Sequence, residues 1–560
     1  MVQRLIEFFN KEFSGLHQAA FLLGVSSLAS QLLGLLRDRL LARNFGAGTE
    51  LDIYYAAFRL PDFIFVSVGS FLAVTVLIPI LVEKVEQESR EEVRSFMSSL
   101  FTFFLIIITL VSIAAYILAP FLTKFIAPGF SPESQVKLVM MTRILLLSPF
   151  FLGLSNLFGA VTQSYRRFFI YAISPILYNL GIISGVIFFY PIYGLNGLVY
   201  GVVLGAMFHL LAQVPVVVQE DFVPRFRLGF LKKDILRVIK LSLPRTIALG
   251  TNQLAVMVLV AMASFMLAGS ISIFNFSFNL QSVPMALIGI SYSVAAFPTM
   301  SKIFSSGKKE EFVSYTAEAL RHIIFWSLPI AVLFIVLRAQ IVRTILGSGQ
   351  FNWTHTKLTA AALAIFAVSI VCQNIVQLFD RAYYATGRTR TPVLIKVFSS
   401  IAIVISAFLF IKVFGRFGPA HVILDTLLRV NDVPGSDVLI LPFAYSLGSL
   451  LNASLLWITF ERDIKADLSR RMARVFLEAL AGSLVIGIVT LVGLNIFNGF
   501  LNLQTFFGIF LQGLFSGIMG IAAGVIFLVY IDNREIKESI ALFSKKFLSS
   551  MPIIPGPEQL

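Results

Sequence analysis

Cysteine is almost missing: Cys372 is the single one in 560 residues. That excludes a disulfide framework and a cysteine-ligated zinc site. The five histidines are scattered, none forms an H-E-x-x-H pair, and no metal site is expected. No G-x-x-x-x-G-K-[ST] phosphate loop and no G-x-S-x-G elbow is present, so neither ATP hydrolysis nor acyl transfer is expected, nor any cofactor. Charge is scarce as well. Charged residues make up 13% of the chain, about half of the roughly 25% usual in soluble domains.

What replaces them is apolar. Hydrophobic residues are 57% of the chain, and 56 residues are phenylalanine. A soluble globule leaves too much area in water to hide that load, so the solvent must be lipid. The net charge of +14, from 44 basic and 30 acidic residues, suits basic cytoplasmic loops better than nucleic-acid binding.

A spanning helix needs about 20 mainly apolar residues to cross a core about 30 Å thick. Fourteen stretches qualify, near 17–42, 52–81, 96–126, 136–162, 168–190, 195–218, 236–267, 270–300, 314–346, 357–385, 391–413, 437–460, 473–497 and 505–531. The expected fold is therefore an all-α polytopic membrane protein with fourteen transmembrane helices. Residues 1–15 carry Arg4, Glu7, Lys11 and Glu12 and read as a cytoplasmic lead-in with no cleavable signal peptide. Alternate loops are basic: Lys84 to Arg94, Arg166-Arg167, Arg225 to Lys233, Lys302 to Lys309, Arg388-Arg390 and Arg462 to Arg471. The positive-inside rule puts these loops, and both termini, in the cytoplasm. The outer loop 414–436 is long enough for a small cap or surface helix.

The chain repeats itself with an offset of about 220 residues. Ala29-Ser30-Gln31-Leu32 answers to Thr251-Asn252-Gln253-Leu254, and Leu60-Pro61 to Val283-Pro284. Charged loops, an outer turn ending in Gly129-Phe130 or Gln350-Phe351, and aromatic-basic loops follow in the same order. Six helices separate the duplicated landmarks, so both halves run the same way, as two six-helix bundles in a parallel pseudo-twofold repeat. The expected organisation is an amino-terminal lobe at 16–218, a basic linker at 219–235 and a carboxy-terminal lobe at 236–460. A cytoplasmic loop at 461–472, two appended helices within 473–531 and a cytoplasmic tail at 532–560 complete it. Pro and Gly inside several spans (Pro61, Pro149, Pro175, Pro284) mark bends, as in transporters that open a cavity alternately to each side.

Charges inside spans are costly, at least about 2.5–3.5 kcal/mol on insertion scales, and so usually face a cavity or a partner. Arg37, Arg39 and Arg59 cluster on the first two spans, with Asp38, Asp52 and Asp62 as available partners. Arg245 opens the second half of the repeat. Arginine holds carboxylate or phosphate oxygens in a fixed fork, so this cluster predicts an anionic substrate. The candidate cavity residues are Arg37, Arg39, Asp52, Arg59 and Arg245. Asp52, Asp62 and Asp380 are candidates for Na+ or H+ coupling, and the membrane potential is the other candidate energy source.

The run Ser30-Gln31-Leu32-Leu33-Gly34-Leu35-Leu36-Arg37-Asp38, then Ala42 to Gly48, Asp52 and Ala57-Phe58-Arg59-Leu60-Pro61, resembles the amino-terminal signature of the MurJ (MviN) family. Ala127-Pro128-Gly129-Phe130, Gln163 to Phe168, Ser174-Pro175 and Thr389 to Val393 fit the same pattern. The resemblance implies a bacterial cytoplasmic-membrane flippase of the multidrug/oligosaccharidyl-lipid/polysaccharide exporter superfamily. Its substrate would be lipid II, the undecaprenyl-pyrophosphate-linked peptidoglycan precursor. Arg37, Asp52 and Arg59 match the family's charged positions. Gln31, Phe65, Val66, Phe278 and Asn279 stand where the family carries charged residues, so the chain resembles a divergent member. A related exporter of another lipid-linked oligosaccharide, a cation-coupled drug exporter and a non-transporting scaffold for cell-wall synthesis proteins remain alternatives. A monomer is expected, with the bilayer as its surroundings.

Overall fold

The computed structural model describes residues 16–69, 89–165, 167–226, 232–416, 418–465 and 467–538, with six further positions between 77 and 87. Among the described residues every regular element is a helix. Twelve described helices are long and apolar enough to cross a membrane, and they coincide one for one with the third to fourteenth expected spans. The first expected span lies within helix α1, Leu16–Phe45. The second begins in α2, Thr49–Ala57, and α3, Arg59–Val68, and its remainder lies largely outside the described residues.

Proline sets two of the breaks. A proline lacks an N–H and its ring collides with the carbonyl four residues back. Pro61 is four residues after Ala57, where α2 ends, and Pro149 is four after Leu145, where α5, Pro132–Leu145, ends. The chain resumes at once as α3 and as α6, Leu147–Ser164. Pro284 leads directly into a wide π-type turn at Met285–Ile290. Three of the four expected positions thus coincide with a break or a wide turn, while Pro175 lies inside an unbroken helix, Phe168–Ser184.

The chain divides into two compact units. The first comprises Met1–Leu280, Ile345–Ala362 and Arg388–Leu451. Within it lie α1–α3, α4 (Arg90–Ile126), α5, α6, α7 (Phe168–Ser184), α8 (Leu195–Leu211), α9 (Lys232–Ala263) and most of α10 (Ser270–Pro284). Here α1 packs on α7, and α7 on α8. The α7–α8 approach is a small-residue seam of the kind that lets helices associate in lipid. A Cβ on Gly181 would fall 2.2 Å from the Cα of Gly205, and one on Gly201 would fall 2.3 Å from the Cα of Gly185. The loop at 414–436 contains a short helix, Gly418–Leu428, and Lys357 Nζ reaches Asp432 at 2.5 Å.

The second unit comprises Gln281–Thr344, Leu363–Gly387 and Asn452–Leu560. It holds α11 (Ser291–Ser305), α12 (Lys309–Val336) and the two helices after the repeat, Leu468–Asn498 and Phe506–Tyr530. Those two form a tight hairpin that also packs on α12. A Cβ at Gly520 would lie 2.0 Å from Thr490 Oγ1 and one at Gly524 2.2 Å from Ile486 Cγ1, so their close approach again depends on glycine. Glu478 accepts from Arg474 at 2.5 Å and from Asn533 at 2.7 Å, which accounts for its charge.

Candidate functional site

The charged residues expected on the first two spans meet one face of α10. Ser272, Asn275 and Asn279 are spaced three and four residues apart, which aligns them along one side of a helix. Each holds a different partner. Ser272 engages Asp52, Asn275 engages Arg59, and Asn279 engages Asp38.

Asp52 is buried at the start of α10. Its Oδ2 accepts from the Gly269 backbone N–H at 2.7 Å. Its Oδ1 accepts from the Ser272 N–H at 2.8 Å and from Ser272 Oγ at 2.6 Å. These are donors that a helix start leaves unsatisfied, and a carboxylate also suits the positive end of the helix dipole. Asp52 thus ties α2 to the beginning of α10, with both carboxylate oxygens engaged.

Arg37 turns its fork onto its neighbour. Nε and Nη2 both donate to Asp38 Oδ1, at 2.9 and 2.8 Å. Nη1 donates to Asn179 Oδ1 at 3.3 Å. Asn179, on α7, donates in turn to Ser30 Oγ at 3.2 Å and to the Pro175 carbonyl at 3.1 Å. Asn279 Nδ2 supplies Asp38 Oδ2 at 3.0 Å. The result is a continuous polar line from Ser30 through Asn179, Arg37 and Asp38 to Asn279, joining α1, α7 and α10. Asp38 is buried, while the Arg37 side chain keeps 23% of its surface exposed.

Arg59 differs. It is buried, and its Nη2 donates to Asn275, a neutral amide. Its Nε is buried with no hydrogen-bond partner. A guanidinium always carries its charge, and a donor left unmade in a dry interior is expensive, so this group is suited to an incoming anion. The Tyr55 hydroxyl, one turn earlier on α2, is also buried without a partner. Asp62 stands one turn further along α3 and is half-buried.

The other predicted residues fall elsewhere. Arg39 Nη1 donates to the Ile345 carbonyl at 3.4 Å. Arg245 lies inside α9, with its side chain outside the described residues. Asp380 belongs to the second unit, where it is buried. No cluster of His, Cys, Asp and Glu able to hold a metal occurs among the described residues. Sequence reasoning singled out charges and passed over Asn179, Ser272 and Asn275. The available signal was an uncharged polar residue within an apolar helix, which in lipid requires a partner.

The helical fold and this buried charged site are those of a polytopic membrane protein. Its fold matches a multidrug-resistance MATE transporter of the MOP superfamily in an inward-facing conformation, with TM-score 0.62, 14% identity and 79% and 96% of the two chains covered. A solved structure described as lipid II flippase MurJ, inward closed conformation, matches with TM-score 0.71 and 21% identity, covering 94% of this chain and all of that one. The family model described as lipid II flippase MurJ matches residues 41–512. The chain therefore belongs to the lipid II flippase MurJ family, a family of transporters and not of enzymes. It is similar to the lipid II flippase MurJ of Burkholderia cenocepacia, at 25% identity over 476 residues, covering 82% of this chain and 86% of that one. It is also similar to the probable lipid II flippase MurJ of Buchnera aphidicola subsp. Schizaphis graminum, at 27% identity over 381 residues, covering 67% and 74%.

Proposed function

We propose that this chain moves lipid II from the inner to the outer leaflet of the bacterial cytoplasmic membrane by alternating access. In this reading both termini are cytoplasmic, and the duplicated halves at 16–218 and 236–460 are the rocking elements. The observation that carries the reading is the family match over 41–512 together with Arg59, a buried guanidinium with an unmet donor on the polar face of α10. Arg59 receives the pyrophosphate, and Arg37, partly exposed beside Asp38, is the second contact.

Export of an anion from an inside-negative cell runs with the membrane potential, which supplies about 2.3 kcal/mol per charge per 100 mV. Where a cation is coupled as well, Asp62 and Asp380 are better carriers than Asp52, whose oxygens already serve the start of α10.

A second reading, export of another lipid-linked oligosaccharide, draws on the substituted positions. Asn279 now serves Asp38. Along this face Arg37 and Arg59 are balanced in formal charge by Asp38 and Asp52, which suits a less strongly anionic head group.

Complementation of a cell depleted of its lipid II flippase separates the two. Restored growth with labelled precursor in the outer leaflet supports lipid II. Full expression without precursor export rejects it, and transfers the activity to another lipid-linked unit or to a scaffold.

A further inference from the structure

We propose that a second site, on the lateral face of the first unit and separate from the α10 face, holds one anionic glycerophospholipid of the surrounding bilayer. It is a groove of about 1680 Å³ between α4, α5, α6 and α8. Its floor is apolar, with Ile113, Val136, Met140 and Leu147 all exposed. Such a floor fits acyl chains.

The groove also carries cations. Lys124 and Arg143 line it, and no Asp or Glu does. Arg143 Nε donates to the Tyr116 carbonyl at 3.1 Å, and the guanidinium lies over the Tyr116 ring, 4.6 Å from its centroid. Both contacts are made to neutral groups, so the charge of Arg143 is held in place without being cancelled, and its Nη atoms remain able to take a phosphate. Two further polar atoms on the groove wall, Ser112 Oγ and Gln135 Oε1, are buried with no hydrogen-bond partner.

Depth supports a lipid. The helical segment Pro132–Ser164 has 33 residues, or about 50 Å at about 1.5 Å per residue, and so overshoots a core of about 30 Å by about 10 Å at each end. Arg143 is eleven residues in from Pro132, which puts it about 6 Å inside the core boundary, where an uncancelled charge is costly and a lipid phosphate drawn down to it offsets that cost. Lys124 is two turns beyond Tyr116 on α4, about 12 Å toward the helix end, at head-group level. A phosphodiester on Arg143 with a hydroxyl-bearing head group rising toward Lys124 engages both cations, with no cationic head group to repel Lys124, and its acyl chains cover the exposed floor.

Native mass spectrometry of the full chain, purified in detergent and titrated with phosphatidylglycerol or phosphatidylcholine of matched acyl chains, tests this. The expected result is a one-to-one phosphatidylglycerol adduct retained at least tenfold better than phosphatidylcholine. The preference should vanish in Arg143→Ala/Lys124→Ala and persist in Arg59→Ala. Val203→Trp, which fills the groove from α8 while Lys124 is on α4 and Arg143 on α5, should lose the adduct while keeping the wild-type melting temperature. Equal retention of the two lipids by the unaltered chain, no adduct of either, or a preference that survives the double substitution would each overturn the proposal. None of these results depends on whether lipid II is the transported substrate.

Discussion

Asn279 donates to the one Asp38 oxygen that Arg37 leaves open, at 3.0 Å. The amide completes the pairing of a buried carboxylate across two helices, α1 and α10. A neutral donor is sufficient because Arg37 already balances the Asp38 charge.

Asn279→Leu should therefore leave Asp38 Oδ2 without a donor and lower stability by about 1–3 kcal/mol. Asn279→Asp should be worse, since it sets a second carboxylate against the first. Thermal melting in detergent is the readout, with the order wild type, Leu, Asp in falling temperature. An Asp variant as stable as wild type would contradict the pairing.

Asp52 fixes the beginning of α10 through three donors. Asp52→Ala should cost about 2 kcal/mol, at the upper end for a lost helix cap. Asp52→Asn keeps an acceptor oxygen and should cost less. Transport per folded molecule should be little changed in Asn. A large transport loss in Asn at full stability would instead give Asp52 a role in ion coupling.

These relationships indicate how much the sequence carried. Chain-wide hydrophobicity, loop charge and proline placement made the helical membrane fold legible, because in lipid the spans must be long, apolar and internally hydrogen-bonded. Charge scarcity made Arg37, Asp52 and Arg59 conspicuous for the same reason. Their partners were hidden. Ser272, Asn275 and Asn279 are neutral residues of a kind tolerated at many helix positions, and their common purpose emerges only when α10 lies against α1–α3. The cap made by Asp52 was equally invisible, since Gly269 and Ser272 donate mainly through backbone groups.

Arg59 is held by a neutral amide and keeps an unmet donor. Arg59→Ala should reduce substrate export at least about tenfold, because a charge-assisted, forked contact is lost. Arg59→Lys should rescue it only in part, since an ammonium lacks the planar fork. Circular dichroism and melting should show both variants folded. Export unchanged in Arg59→Ala would remove this residue from substrate handling.

The α7–α8 seam leaves no room for side chains. Gly201→Leu or Gly205→Leu should prevent the helices from meeting, as the added Cβ alone would lie 2.3 Å or 2.4 Å from backbone atoms. The expected outcome is loss of folded protein in a size-exclusion assay. Gly48→Ala, whose nearest neighbour would be 3.4 Å away, should express normally.

The central claim is that a buried guanidinium on the polar face of α10 receives a pyrophosphate-linked lipid and carries it outward. The most direct measurement is the rate at which labelled lipid II becomes accessible in the outer leaflet of vesicles containing the purified chain, compared with the same chain bearing Arg59→Ala. The account predicts rapid exposure with the unaltered chain and a rate near that of protein-free vesicles with the variant. Equal rates for the two proteins, or exposure no faster than in protein-free vesicles, would contradict it.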